Sequence, residues 1–317
     1  MAKKDASRNG LRLLKRPRPV RRREPLPGSS PKSTEEDPEA HARIKAILNN
    51  PSYRRADTDF DFLAREDLRA LRLQIDYLKA DLLLQEAGVR QTIVVFGSTR
   101  ICEHAAASRE VEKLTDALAA DRGNKELEHR LAAAKRILAK SCYYDVASEF
   151  GRLVSEANTN GQEQLAVIMT GGGPGIMEAA NRGAFDAGAK SVGLNITLPH
   201  EEFPNPYITP GLSFCFHYFA MRKFHFVLRA KALVAFPGGF GTFDELFEVL
   251  TLVQTQKLKP IPVVLVGKDY WRQAINFDFL ADEGVIARED RELFWYAETA
   301  EEIWNSILAW YASNGAA

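Results

Sequence analysis

Three short apolar runs, at Thr92–Phe96, 165–169 and 232–236, end in glycine-bearing turns, and each turn gives way to helically spaced sequence. A continuously apolar run of strand length is buried on both faces, which a sheet covered by helices on either side provides. Parallel neighbours need a crossover between them, so alternating strands and helices imply a parallel sheet. Runs at 191–196 and 262–266 extend the series. The fold class expected is α/β, a doubly wound, Rossmann-like parallel sheet occupying 91–317.

Two additions interrupt this rhythm. Residues 41–90 read as an N-terminal helical extension, in which Leu68, Leu71, Ile75, Leu78 and Leu82 recur at spacings of three and four. That stripe suits packing on the main domain or on a second subunit. Residues 103–140 carry two apolar faces, Val111, Leu114 and Leu118, then Leu127, Leu131, Ala134 and Leu138, separated by a break at 121–124. They read as an αα-hairpin inserted between the first strand and the helix 144–157 that this strand would otherwise meet. A Pro-rich loop is expected over 199–210 and a helix over 218–230.

Charge is unevenly placed. The 317 residues hold 42 Lys/Arg and 42 Asp/Glu, but ten of the bases fall in 1–24 against Asp5 and Glu24. The remainder is therefore acidic, so bulk charge argues against a nucleic-acid partner. With Pro17, Pro19, Pro25, Pro27 and Pro31 and no apolar period, 1–40 reads as a disordered basic tail. It lacks the apolar segment of a secretory signal. No apolar run approaches the roughly 20 residues a bilayer crossing needs, so no membrane partner is expected. Cys102, Cys142 and Cys215 show no paired spacing and fit a reducing cytoplasm.

In an open parallel sheet, ligands bind outside the carboxyl ends of the strands. Gly97 and Ser98, then Gly171, Gly172, Gly173 and Gly175, then Gly238, Gly239 and Gly241 all fall at such ends. Glycines there let backbone N–H groups approach a phosphate, and the following helix adds a favourable dipole. Three such turns on one edge point to a nucleotide or sugar phosphate. None has the G-x-G-x-x-G spacing of dinucleotide binding or the Gly-Lys-Ser/Thr of a P-loop. His41, His104, His129, His200, His217 and His225 show no i,i+4 pair, and no metal site is expected. His217 reads as packed or exposed. Nor is a cofactor expected: a pyridoxal Schiff base needs a lysine with an acidic partner for the pyridine nitrogen, a context neither Lys223 nor Lys231 has.

Arg222 is placed by geometry. Eight residues of helix descend by about 12 Å and five of strand climb by about 17 Å, so Arg222 should lie level with the turn 238–242. Glu245 admits two readings. Thr242-Phe243-Asp244-Glu245 matches a capping box, with Thr242 at the cap and Glu245 reaching back. Alternatively, a carboxylate one turn from a phosphate cradle and opposite an arginine could attack a glycosidic bond. Glu248, a turn further on, reads as solvated.

Pro237-Gly-Gly-Phe-Gly-Thr-Phe-Asp-Glu245 has the pattern P-G-G-x-G-T-x-x-E, Met221-Arg222-Lys223 the partner motif, and Gly171-Gly-Gly-Pro-Gly-Ile-Met177 the pattern G-G-G-x-x-G-[IL]-M. Together they resemble the LOG (Lonely Guy) family of cytokinin riboside 5′-monophosphate phosphoribohydrolases, often mislabelled lysine decarboxylases, over about 91–100 and 141–270. Larger members of this kind are also associated with AMP and other purine nucleotides. The resemblance implies hydrolysis of the N-glycosidic bond to free base and ribose 5-phosphate, with Arg222 and Glu245 as the catalytic pair. It implies nucleotide-binding roles for Lys223, Gly238, Gly239, Gly241, Thr242 and Thr251, with Met177 in the second glycine loop, and a homodimer or higher homo-oligomer. A non-catalytic nucleotide carrier or sensor of the same fold is the alternative; it would keep the glycine turns without needing the carboxylate.

Overall fold

The computed structural model describes residues 28, 30–159, 166–197 and 203–314. Residues 1–27 and 29 of the expected basic tail, 165 of the expected strand 165–169, and 199–202 of the Pro-rich loop lie outside the described residues. The chain divides into two compact units, Met1–Leu68 and Arg69–Ala317. The first carries two short helices, α1 (Ala40–Leu48) and α2 (Phe60–Leu63). Asp59 begins α2 by accepting a hydrogen bond from the Phe62 nitrogen at 3.2 Å.

The second unit is built on strands β1 (Thr92–Phe96), β2 (Val167–Thr170), β3 (Ser191–Ile196), β4 (Ser213–Phe216), β5 (Ala230–Ala235), β6 (Val263–Val266) and β7 (Trp295–Ala297). They form one sheet in the order β4-β3-β2-β1-β5-β6-β7, every neighbouring pair parallel. The doubly wound α/β class read from the sequence is the fold observed. Every residue of β1, β2 and β6 is buried, as helices on both faces require. Alternate residues serve opposite cores. Val94, Met169 and Leu233 share one core with Ala80 and Leu84 of α3 (Arg69–Glu86), whereas Ile93, Ile168 and Val234 share the other with Ala147 and Phe150 of α6 (Cys142–Thr159).

Between β1 and α6 the inserted hairpin is present as α4 (His104–Ala120) and α5 (Lys125–Leu138). Asn124 caps α5, its Oδ1 accepting from the Glu126 and Leu127 nitrogens at 3.0 and 3.1 Å; the hairpin buries Ala107 and Leu114 from α4 and Leu131 from α5. Then follow α7 (Ile176–Asp186), α8 (Phe219–Leu228), α9 (Phe240–Gln254), α10 (Lys268–Ala274), α11 (Phe277–Asp282) and α12 (Ala300–Asn314). Among the described residues, no helix is long and apolar enough to cross a membrane.

Two strands go beyond the sequence reading. β4 alternates exposed and buried positions at the sheet edge, and β7 is apolar but has only three residues, so neither gives the longer run buried on both faces that marks the central strands. The leucine stripe is also placed differently. α3 buries Ala80 and Leu84 and leaves Leu71, Ile75, Leu78 and Leu82 exposed. Polar contacts hold α3 to α8: the Asp76 carboxylate accepts from the His217 and Tyr218 nitrogens at 3.1 and 3.0 Å. Arg229 Nη2 donates to Asp81 Oδ1 at 2.5 Å.

The strand order fixes where a ligand can enter. From β1 the chain winds outward through β2, β3 and β4, then returns to the other side of β1 as β5. The direction reverses between β1 and β5, and the turns leaving these strands must part to either face, opening a crevice.

Candidate active site

That crevice is occupied by a cavity of about 610 Å³, lined among others by Gly97, Ser98, Gly171, Met177, Arg222 and Glu245. Gly238, Gly239, Gly241 and Thr242 line the same cavity. The turns after β1 and β5 are tied together directly, the Ser98 nitrogen donating to the Pro237 carbonyl at 3.0 Å. Three strand ends, the start of α8 and the start of α9 therefore converge on one space.

The wall from α9 has the form of an anion cradle. First-turn N–H groups of a helix have no carbonyl one turn earlier, and they carry the positive end of the helix dipole. A Cβ added at Gly239 or Gly241 would meet nothing within 4 Å. Protein packing therefore does not require glycine at either position, and without a side chain the backbone there lies open to the cavity. Tyr270 from α10 braces the turn by donating its hydroxyl hydrogen to the Gly238 carbonyl.

Arg222 is held in place by contacts of its own. Its Nε donates to the Leu194 carbonyl at 2.7 Å, its Nη2 approaches the Gly171 carbonyl at 3.4 Å, and its guanidinium carbon stands 5.3 Å from the Phe226 ring centroid. Gly172, Gly173 and Gly175 do not line the cavity. The first two fix the loop, with Gly172 and Gly173 carbonyls accepting from the Asn205 main chain and side chain at 2.9 and 3.1 Å; Gly175 begins α7. A buried network of Thr170, Asn181 and Asn205 supports them, Thr170 Oγ1 donating to Asn181 Oδ1 at 2.7 Å.

Glu245 does not cap α9. The helix begins one turn earlier, with Gly239 at its cap, and the Thr242 nitrogen bonds the Gly239 carbonyl at 3.0 Å. Thr242 is thus inside the helix and its N–H is taken, so the capping-box expectation fails. Glu245 instead lies buried at 7% exposure beside the cavity. Burial lifts its carboxyl to about 7; Lys223 and Arg222 oppose the rise, and Glu248 and Asp244 reinforce it.

Lys223 and Thr251 sit apart, on a shallow depression beside the cavity that also involves Asp244 and Glu248. Lys223 Nζ lies 2.6 Å from Glu248, 3.0 Å from Asp244 and 3.9 Å from Glu245. Glu248 is therefore ion-paired rather than merely solvated. Burial pulls the Lys223 ammonium down, but these carboxylates outweigh it and hold the pKa above the ordinary lysine value. His217 is exposed, outside the cavity.

The sequence reading missed residues that complete the cavity. Thr99, Arg100 and Ile101 follow β1, Ile137 and Lys140 come from the end of the hairpin, and Tyr270 from α10. Only the hairpin's position directly after the first glycine turn hinted at its part.

Residues 177–307 match the family described as possible lysine decarboxylase. The chain is 29% identical over 168 residues to the cytokinin riboside 5′-monophosphate phosphoribohydrolase LOG3 of Arabidopsis thaliana, spanning 52% of this chain and 74% of that protein. It is 30% identical to the corresponding LOG enzyme of Oryza sativa subsp. japonica, over 52% of this chain and 65% of that protein. Among solved structures it is similar to the molybdenum cofactor binding protein of Rippkaea orientalis, with 22% identity, a TM-score of 0.38 and coverage of 53% of this chain and 86% of that one.

Proposed function

From the premise that the chain belongs to the LOG family, we propose that it hydrolyses the N-glycosidic bond of purine or cytokinin riboside 5′-monophosphates, releasing free base and ribose 5-phosphate. The observation that carries this reading is the meeting of Arg222, Glu245 and the α9 cradle in one cavity at the β1/β5 crevice.

The C1′–N bond breaks with its electron pair leaving on the base, water adds through oxygen to C1′, and one proton of that water ends on the base. The sugar passes through a cationic state. Glu245 in its ionised form stabilises that cation and receives the water proton. With its carboxyl near 7, the protonated form is also populated at neutral pH and returns a proton to the departing base. Arg222, permanently charged, cannot act as the acid; it holds negative charge on the phosphate or the base. The phosphate occupies the turn of Gly238, Gly239 and Gly241, where Thr242 offers its hydroxyl because its N–H is taken, with Gly97 and Ser98 alongside.

Incubation with AMP, GMP, CMP and N6-isopentenyladenosine monophosphate, followed by chromatography, should show free base from at least one. Tight AMP binding with no base released from any would move the protein to the carrier or sensor class.

We further propose a homodimer or higher homo-oligomer, in which a second copy covers exposed apolar side chains of α3 and α8. Ile75 and Leu82 on α3, and Phe224 and Leu228 on α8, are between 44% and 50% exposed. Light scattering should give at least twice 35.4 kDa, and Ile75→Asp with Leu82→Asp should lower it; a wild-type monomer at micromolar concentration refutes this. The unpaired cysteines Cys102, Cys142 and Cys215 suit a reducing compartment such as the cytoplasm.

A further inference from the structure

The carboxyl at position 245 shares its surroundings with a second pair of carboxylates and one ammonium, a cluster that substrate contact alone does not explain. Asp244 and Glu248 lie on α9 with Glu245, and Lys223 reaches them from α8. Lys223 is ordinarily read, with Arg222, as a ligand for the nucleotide. Its nitrogen is instead committed to Glu248 at 2.6 Å and Asp244 at 3.0 Å, and its side chain is only 18% exposed. Glu245 is the third and most distant partner, at 3.9 Å.

We infer that Glu248, with Asp244, is a positioning residue: it clamps Lys223 so that the ammonium stands off Glu245 instead of pairing fully with it, leaving the Glu245 carboxyl able to exchange a proton during the reaction. This rests on the catalytic reading of Glu245 given above.

The physical reason is competition for one cation. An ammonium placed directly on a buried carboxylate holds it ionised, and a carboxylate so held is a poor proton donor. A buried carboxyl with no cation nearby stays protonated well above neutrality and cannot receive a proton from water. The arrangement seen lies between these extremes. Two carboxylates bind Lys223 more closely than Glu245 does, and their own negative charge also disfavours ionisation at Glu245. Among the described residues, the other charged or titratable groups lining the cavity with Glu245 are Arg222 from α8, Arg100, Lys140 and Tyr270, whose hydroxyl donates to the Gly238 carbonyl. None of these bonds Lys223 in the structure, so the clamp is assigned to α9.

Two substitutions should act in opposite directions. Glu248→Gln removes a neighbouring negative charge and frees Lys223 to close on Glu245; both effects lower the Glu245 titration midpoint, by about one pH unit. Lys223→Met removes the cation and should raise it by about one unit. The readout is carbon NMR of protein with 13C-labelled glutamate carboxyls, the Glu245 signal identified by its loss in Glu245→Gln. It requires neither substrate nor turnover, so it is separable from the base-release assay. In the active protein, the pH profiles of kcat/KM should shift the same way as the titrations. Lys223→Gln serves if the methionine variant does not fold. Shifts of the same sign, or variants that fold with Glu245 unmoved, overturn the proposal. So does Lys223→Met acting only by raising KM, which would make Lys223 a nucleotide ligand.

Discussion

Gly171 and Arg222 occupy adjoining spaces with no room between them: a Cβ on Gly171 would fall 2.5 Å from Arg222 Nη2. The second glycine loop thus serves the site by letting an arginine from another helix lie against its main chain. Gly171→Ala should displace the guanidinium from the Leu194 carbonyl. Misplacing a reacting or orienting group by about 1 Å can cost about 10²-fold in rate, so kcat/KM for AMP should fall between about tenfold and a hundredfold in a folded variant. Wild-type kinetics would show that this contact does not place Arg222.

Glu245→Gln separates chemistry from binding. It conserves shape and removes the charge, so kcat should drop by roughly 10²–10³, the scale of losing an electrostatic partner of the transition state. Equilibrium binding of AMP should persist. Turnover at the wild-type rate would deny Glu245 any part in the chemistry.

The same substitution should stabilise the fold at alkaline pH. An unfolded glutamate titrates near 4.3, whereas burial holds Glu245 to about 7. The folded protein keeps this proton to higher pH than the unfolded chain does. Its stabilising contribution is therefore complete below about pH 4 and is lost as pH rises towards 7. At about 1.4 kcal/mol per unit, Glu245→Gln should gain up to about 3 kcal/mol over wild type between pH 4 and pH 8. Urea unfolding at both pH values measures this; a difference independent of pH contradicts it.

Lys140, just after the hairpin, brings a cation to the lining of the cavity that Ser98 and Gly239 also line. If it meets the 5′-phosphate, Lys140→Ala should raise KM for AMP about tenfold with kcat unchanged, within the range of a charge-assisted hydrogen bond. Weak turnover of adenosine should not change. An equal effect on both substrates would assign Lys140 to the base or to the hairpin's packing.

Much of the scaffold could be read before the structure because burial on both faces leaves an unbroken apolar signal, as in β1 and β6. β4 and β7 lacked that signal, lying near or at the sheet edges with few residues. Threonine followed three residues later by glutamate looks the same whether the threonine caps a helix or lies one turn inside it. Here Gly239, in extended backbone at φ −99° and ψ −157°, takes the cap, and a run of glycines does not reveal which one turns the chain. Glu248 reads as solvated from the sequence because helix periodicity describes one helix at a time, whereas its partner Lys223 belongs to another. The exposure of the α3 stripe has a similar origin: α3 meets α8 through Asp76 and Asp81, so polar positions orient a helix whose leucines alone suggested another face.

The hairpin's contribution of Ile137 and Lys140 separates two kinds of information along the chain. On the proposed function, the glycine turns, Arg222 and Glu245 select the bond that is cleaved, whereas Ile137 and Lys140 line the same cavity from a segment outside those motifs. A relative could retain every motif residue and, by shortening or replacing that segment, accept a differently shaped molecule. Reaction type and substrate choice can therefore diverge independently, and a hairpin transplanted between relatives would carry preference with it while leaving the cleavage step intact.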